Sequence, residues 1–63
     1  MTVSEFLAIS VIDSLSIWYN EVNFKTYDLH NNADLFECVK EHGDKKIVRL
    51  YAPETGHIEI IIK

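Results

Sequence analysis

The hydrophobic positions change period along the chain, and each change marks an element. Val3, Phe6 and Leu7, with Ser10 continuing the same face, stand at helical spacing behind Thr2-Val3-Ser4-Glu5. That tetrad is a capping box, in which the Thr2 hydroxyl caps the helix and Glu5 reaches back. It predicts a short helix over about residues 3–9, too short to persist unless its apolar face docks on the rest. From Leu15 the period drops to two: Leu15, Ile17 and Tyr19 fall on one side, and Ser14, Ser16 and Trp18 on the other. "NEVN" supplies turn residues, and alternation resumes from Phe24 to Leu29 with Tyr27 and Leu29 together, so a β-hairpin follows. Asn31 and Asn32 suit an N-cap, and Leu35, Cys38, Val39 and His42 then stand at i, i+3, i+4 and i+7. This predicts a second helix that ends at Gly43, where a positive φ is expected.

The last twenty or so residues form a second hairpin, "KKIVRLYA" and "HIEIIIK" flanking "PETG". A three-residue loop, Glu54-Thr55-Gly56, pairs Leu50 with Ile60 and Val48 with Ile62. Val48, Leu50, Ile58, Ile60 and Ile62 then share a face, while Arg49, Tyr51 and Glu59 point outward. A slip of one residue would set Glu59 on the buried side, so the pattern selects this register. The predicted order is α-β-β-α-β-β in a single domain, residues 1–63. The expected fold is α+β and two-layered, with both helices on one face of an antiparallel sheet.

Composition adds limits. A chain of 63 residues with 48% hydrophobic and 25% charged positions is an ordinary globular one. A core this small leaves a margin of roughly 3–5 kcal/mol, so a second copy would help. Cys38 is the sole cysteine, which rules out an internal disulfide and suits a reducing, cytoplasmic setting. "MTVSEFLAIS" has neither the basic start nor the long apolar core of a signal peptide, and no apolar run would span a membrane.

The net charge of −4 is unevenly spread. Glu5, Asp13, Glu21, Asp28, Asp34 and Glu37 face only Lys25 within residues 1–39, and the remainder is slightly basic. Direct nucleic-acid binding by the first half is disfavoured, because phosphate affinity rests on Lys and Arg. An acidic face would attract a basic partner, or serve solubility alone.

Chemistry-bearing constellations are sparse. His30, His42, His57 and Cys38 show no tight ligand spacing, so neither metal nor cofactor is expected. Cys38 and His42 lie four apart, but both fall on the apolar stripe of the second helix, where packing explains them. No glycine-rich phosphate loop exists, and so thin a domain has little room for a water-excluding pocket of ~300 Å³. No enzyme activity is expected. What remains is a partner-binding surface, with Trp18, Glu21, Phe24, Asp34, Phe36 and Glu37 as its candidate residues. Trp18 sits among serines on the polar side of its strand, either as an exposed anchor or as a residue covered by the first helix. Phe36 lies off the helix stripe beside Glu37.

The layout and the opening "MTVSEFL" resemble small proteins encoded by phages of Gram-positive bacteria, some of which inhibit host defence as anti-CRISPR proteins. "KTYDLH", "LFECV" and "KKIVRL" are similar in order and spacing to the short uracil-DNA glycosylase inhibitors of small Bacillus phages. In that family an exposed Phe followed by Glu enters the enzyme's DNA-binding groove, and an acidic surface stands in for DNA. The matching positions are Phe36 and Glu37. Lys40 stands where the family has Tyr, and the family lacks the first helix. The resemblance implies a protein inhibitor whose partner is a nucleic-acid-binding enzyme, a CRISPR effector or a repair glycosylase. The competing expectation is a self-associating assembly module, a homodimer joined through an unpaired hairpin edge, especially "HIEIIIK" with its alternate Ile61.

Overall fold

The computed structural model describes residues 1–63. Helix α1 spans Val3–Ile9, and its capping box is formed as expected: Glu5 N–H donates to Thr2 Oγ1 at 3.2 Å and Thr2 N–H donates to Glu5 Oε1 at 2.8 Å. Helix α2 spans Asn32–His42, with Asn31 Oδ1 accepting from the N–H of Ala33 at 2.9 Å and of Asp34 at 3.3 Å. Each cap satisfies donors that a helix start leaves without partners. Between the helices, β1 (Ser14–Trp18) and β2 (Phe24–Asp28) form the first hairpin. Asn20 builds its turn, its Oδ1 accepting from the N–H of Val22 and of Asn23, both at 2.9 Å. The second hairpin is β3 (Ile47–Glu54) and β4 (His57–Ile62).

The fold is α+β, but the sheet is mixed rather than wholly antiparallel. Its order is β2-β1-β4-β3, and β1 runs parallel to β4. Period-two alternation fixes the faces of a strand and says nothing about its neighbours. Parallel neighbours need a long crossover, which β2, α2 and β3 together provide. The strand expected to offer a free edge, "HIEIIIK", is therefore an inner strand paired on both sides. Self-association through that edge is overturned; the outer strands are β2 and β3.

Val3 from α1, Cys38 from α2 and Leu15, Ile17, Tyr27 and Ile60 from the sheet form one buried cluster. Only nine of 63 residues are buried, so each of these six carries a large share of stability. Several expected core positions sit at its rim. Tyr19 is exposed, with its ring 5.1 Å from that of His42. Val39, Val48 and Leu50 are also exposed. Leu50 does pair with Ile60, but Ile47 rather than Val48 stands opposite Ile62, because a bulge follows Ile47. A second irregularity lets Glu54 pair with His57, so the turn is Thr55-Gly56 and not the three-residue loop. Gly56 has φ +81°, and an added Cβ there would lie 2.5 Å from Asp13 Oδ2.

Gly43 has φ −55°, not the expected positive value. Its lack of a side chain serves close approach instead. A Cβ there would meet the Ser4 hydroxyl of α1 and the Val39 carbonyl. Ser4 N–H donates to Gly43 O at 3.0 Å, and Val3 N–H to Lys45 O at 3.0 Å, tying α1 to the segment that leaves α2.

Candidate partner-binding face

The registers place three rows of side chains on the sheet face opposite the buried cluster. Phe24, Trp18, Ile61 and Arg49 form the first row across β2, β1, β4 and β3. Thr26, Ser16, Glu59 and Tyr51 form the second, and Asp28, Ser14, His57 and Glu54 the third. Phe24, Trp18 and Ile61 thus gather in the first row with Arg49 at its end, and the carboxylates lie in the second and third rows.

Trp18 is fixed from two directions. Its ring stacks on Phe24 with centroids 4.4 Å apart and planes at 25°, and its Nε1–H donates to Glu59 Oε1 at 2.8 Å. Half-burial of Trp18 therefore comes from its own sheet, and α1 contributes its core residue, Val3, on the other face. Trp18, Asn20, Glu21, Val48, Arg49, Tyr51 and Ile61 line a groove of about 490 Å³. The groove lies open over the sheet and is not enclosed within the domain, so it differs from the water-excluding pocket that so thin a domain has little room for. The Arg49 guanidinium makes no hydrogen bond or ion pair within the chain.

Behind the first row lies a hydrogen-bonded chain. Ser16 Oγ meets Thr26 Oγ1 at 2.8 Å and His57 Nε2 at 3.3 Å, while His57 Nδ1 meets Ser14 Oγ at 2.6 Å. Glu59 Oε2 lies 3.7 Å from His57 Nε2, so the carboxylate that orients Trp18 also faces this imidazole. The other histidines have separate surroundings. His30 Nε2 contacts Asp13 Oδ1 at 2.6 Å, and that carboxylate raises its pKa. His42 is buried with no hydrogen-bond partner on either ring nitrogen, and burial lowers its pKa. The Cys38 thiol is buried and pushed up to about 11 by that burial, so it carries no reactive thiolate at neutral pH.

The six residues expected to bind a partner divide into two groups. Trp18, Phe24 and Glu21 come together at the first row and its rim. Asp34, Phe36 and Glu37 lie on α2, the helix that supplies Cys38 to the core. There Asp34 Oδ2 accepts from Asp28 N–H at 2.9 Å, and Glu37 pairs with Lys25, which also lies 5.2 Å from the Tyr27 ring centroid. Phe36 is 70% exposed. Asp34 and Glu37 thus both have internal partners that sequence reasoning did not foresee. The residues it left out of the site are Ile61, Glu59, Arg49 and Tyr51. Ile61 and Trp18 are each an apolar residue on the polar side of a strand, and that shared anomaly was the available signal.

No protein family, curated protein or solved structure matches the chain. No helix is long and apolar enough to cross a membrane.

Proposed function

We propose that the chain is a small acidic protein-interaction protein that blocks the nucleic-acid-binding surface of an enzyme by partial DNA mimicry. The kind of target is the one the sequence resemblance implies, a CRISPR effector or a DNA-repair glycosylase, and the kind of source is a phage or mobile element. Such a target sets the action in the cytoplasm. The observation that carries the reading is the charge of the sheet face. Asp28, Glu54 and Glu59, with Glu21 at the rim, share that face with one permanent cation, Arg49. The reading takes helices and sheet as two layers, so that this face is left for a partner. A fixed aromatic stack beside carboxylates suits an interface anchor, since Trp, Tyr and Arg dominate binding energy.

The reading is not enzymatic. Ser14 and His57 are in contact, but the N–H groups of Asp13 and Ser14 both donate to Gly56 O, at 2.8 and 3.1 Å. Neither is free to hold an oxyanion. Direct nucleic-acid binding is disfavoured by the same carboxylates.

The test is competition against labelled DNA bound to purified repair glycosylases and CRISPR effectors, at two salt concentrations. Displacement that weakens with salt and with Glu59→Gln or Glu54→Gln supports mimicry. Affinity indifferent to both removes it. Parallel measurements on Trp18→Ala and Phe36→Ala locate the contact: loss with Phe36→Ala alone would move the site to α2.

A further inference from the structure

We propose that the groove between Trp18 and Arg49 holds one aromatic side chain, presented by a basic segment of the partner. The inference rests on the docking reading above and adds what the partner must carry.

The register sets the geometry. Trp18 and Arg49 stand in one row on β1 and β3, with Ile61 of β4 between them as the floor. Two strand spacings of about 4.8 Å separate the walls, room for one ring with a stacking contact on each side. Trp18 cannot turn to fill this gap, because Phe24 covers one side of the indole and Glu59 holds its N–H. Arg49 is a planar cation with no internal partner, and guanidinium groups stack on aromatic faces.

The alternatives fit less well. A lysine or arginine in the groove would meet the like charge of Arg49. An aliphatic side chain would touch Ile61 and Val48 but leave both planar walls without a matching face. A nucleobase would carry its phosphates across Glu21, Glu54 and Glu59. A ring on a protein segment avoids all three problems, and basic neighbours of that ring meet the same carboxylates favourably. The volume, about 490 Å³, exceeds one side chain and leaves room for flanking backbone.

The full chain is titrated with three synthetic peptides, Lys-Arg-Phe-Arg-Lys and its Leu and Ala counterparts, and with a short oligothymidylate. Trp18 is the only tryptophan, so its fluorescence and its indole N–H resonance report the groove directly. The Phe peptide is expected to bind about tenfold tighter than the Ala peptide, with Leu between them. Arg49→Gln should shrink that preference, and Ile61→Phe, which narrows the groove while leaving Trp18 the only tryptophan, should abolish it in protein whose circular dichroism is unchanged. If Ile61→Phe does not fold, Arg49→Gln decides alone. Equal affinities for the three peptides, with shifts on this face, overturn the aromatic site and leave acidic docking standing. Shifts centred on Phe36 and Glu37 overturn the groove and move docking to α2, and no shift with any peptide, or tighter binding of the oligothymidylate, overturns both readings.

Discussion

Replacing Gly43 with alanine sets two effects of comparable size against each other. The backbone there, φ −55° and ψ −34°, is one alanine prefers, and in an ordinary helical position the change would stabilise by about 1 kcal/mol. The surroundings oppose it. The new methyl meets the Ser4 hydroxyl and the Val39 carbonyl. Ser4 can rotate its side chain, but the Val39 carbonyl accepts from Gly43 N–H at 2.9 Å and cannot retreat without losing that bond. Ser4 N–H is held to Gly43 O at 3.0 Å, so α1 cannot slide away freely either. Overpacking of this kind costs about 1–3 kcal/mol. The net expectation is a loss of about 1–2 kcal/mol, a serious fraction of a margin of roughly 3–5 kcal/mol. At about 4–8 °C per kcal/mol for a domain of this size, Tm should fall by about 5–15 °C. Thermal unfolding followed by circular dichroism measures it. The double variant Ser4→Gly/Gly43→Ala apportions the clash: recovery assigns it to the hydroxyl, and no recovery assigns it to the Val39 carbonyl. A rise in Tm for Gly43→Ala would refute the close-packing account altogether.

Burial depresses the pKa of His42, so the unfolded chain binds a proton more readily than the folded one. That stability is present above the ordinary imidazole range and is lost as pH falls through it toward the depressed folded value. His30 acts with the opposite sign, because Asp13 raises its pKa and favours the folded state as pH falls. Between pH 7.5 and 5.5 the urea midpoint should fall further for His30→Gln than for the native chain, and should not fall through this cause for His42→Leu; a fall in His42→Leu equal to that of the native chain would exclude His42 as the source. Cys38, buried and with its thiol pushed up to about 11, should react with a disulfide reagent only as fast as the chain opens, and rapid labelling in native buffer would contradict its placement. Glu59→Gln keeps an acceptor for the Trp18 indole while Glu59→Ala removes it, so only the second should move the indole N–H resonance strongly. Equal shifts would show that the bond to Glu59 does not set the ring.

Local features were legible and non-local ones were not. The capping box at Thr2, the Asn31 cap and the alternation through Leu15 and Ile17 depend on residues a few positions apart, and each is found where the pattern puts it. The parallel pairing of β1 with β4 joins residues more than forty positions apart, and alternation cannot report it. The candidate site inherits that limit. Trp18 and Phe24 are neighbours within a hairpin and were read together, whereas Ile61, Glu59 and Arg49 reach Trp18 only through β4. Asp34 and Glu37 were read as free surface charge, but their partners, Asp28 N–H and Lys25, come from a different element. Gly43 looked like a left-handed cap because a glycine needed for room and one needed for torsion are identical in a sequence.

The parallel seam also governs how the chain can fold. Each hairpin is local and can close early, but β1 gains its second neighbour only once β4 is made. Until then Leu15 and Ile17 present an unpaired inner edge flanked by apolar side chains, the kind of edge that captures other strands. Pro53 and the two irregularities blunt β3, and Lys25 sits on β2, so the finished outer edges are guarded. The vulnerable moment is therefore the interval between the two hairpins, and substitutions that slow β4 should raise aggregation during synthesis more than they lower the stability of the finished protein.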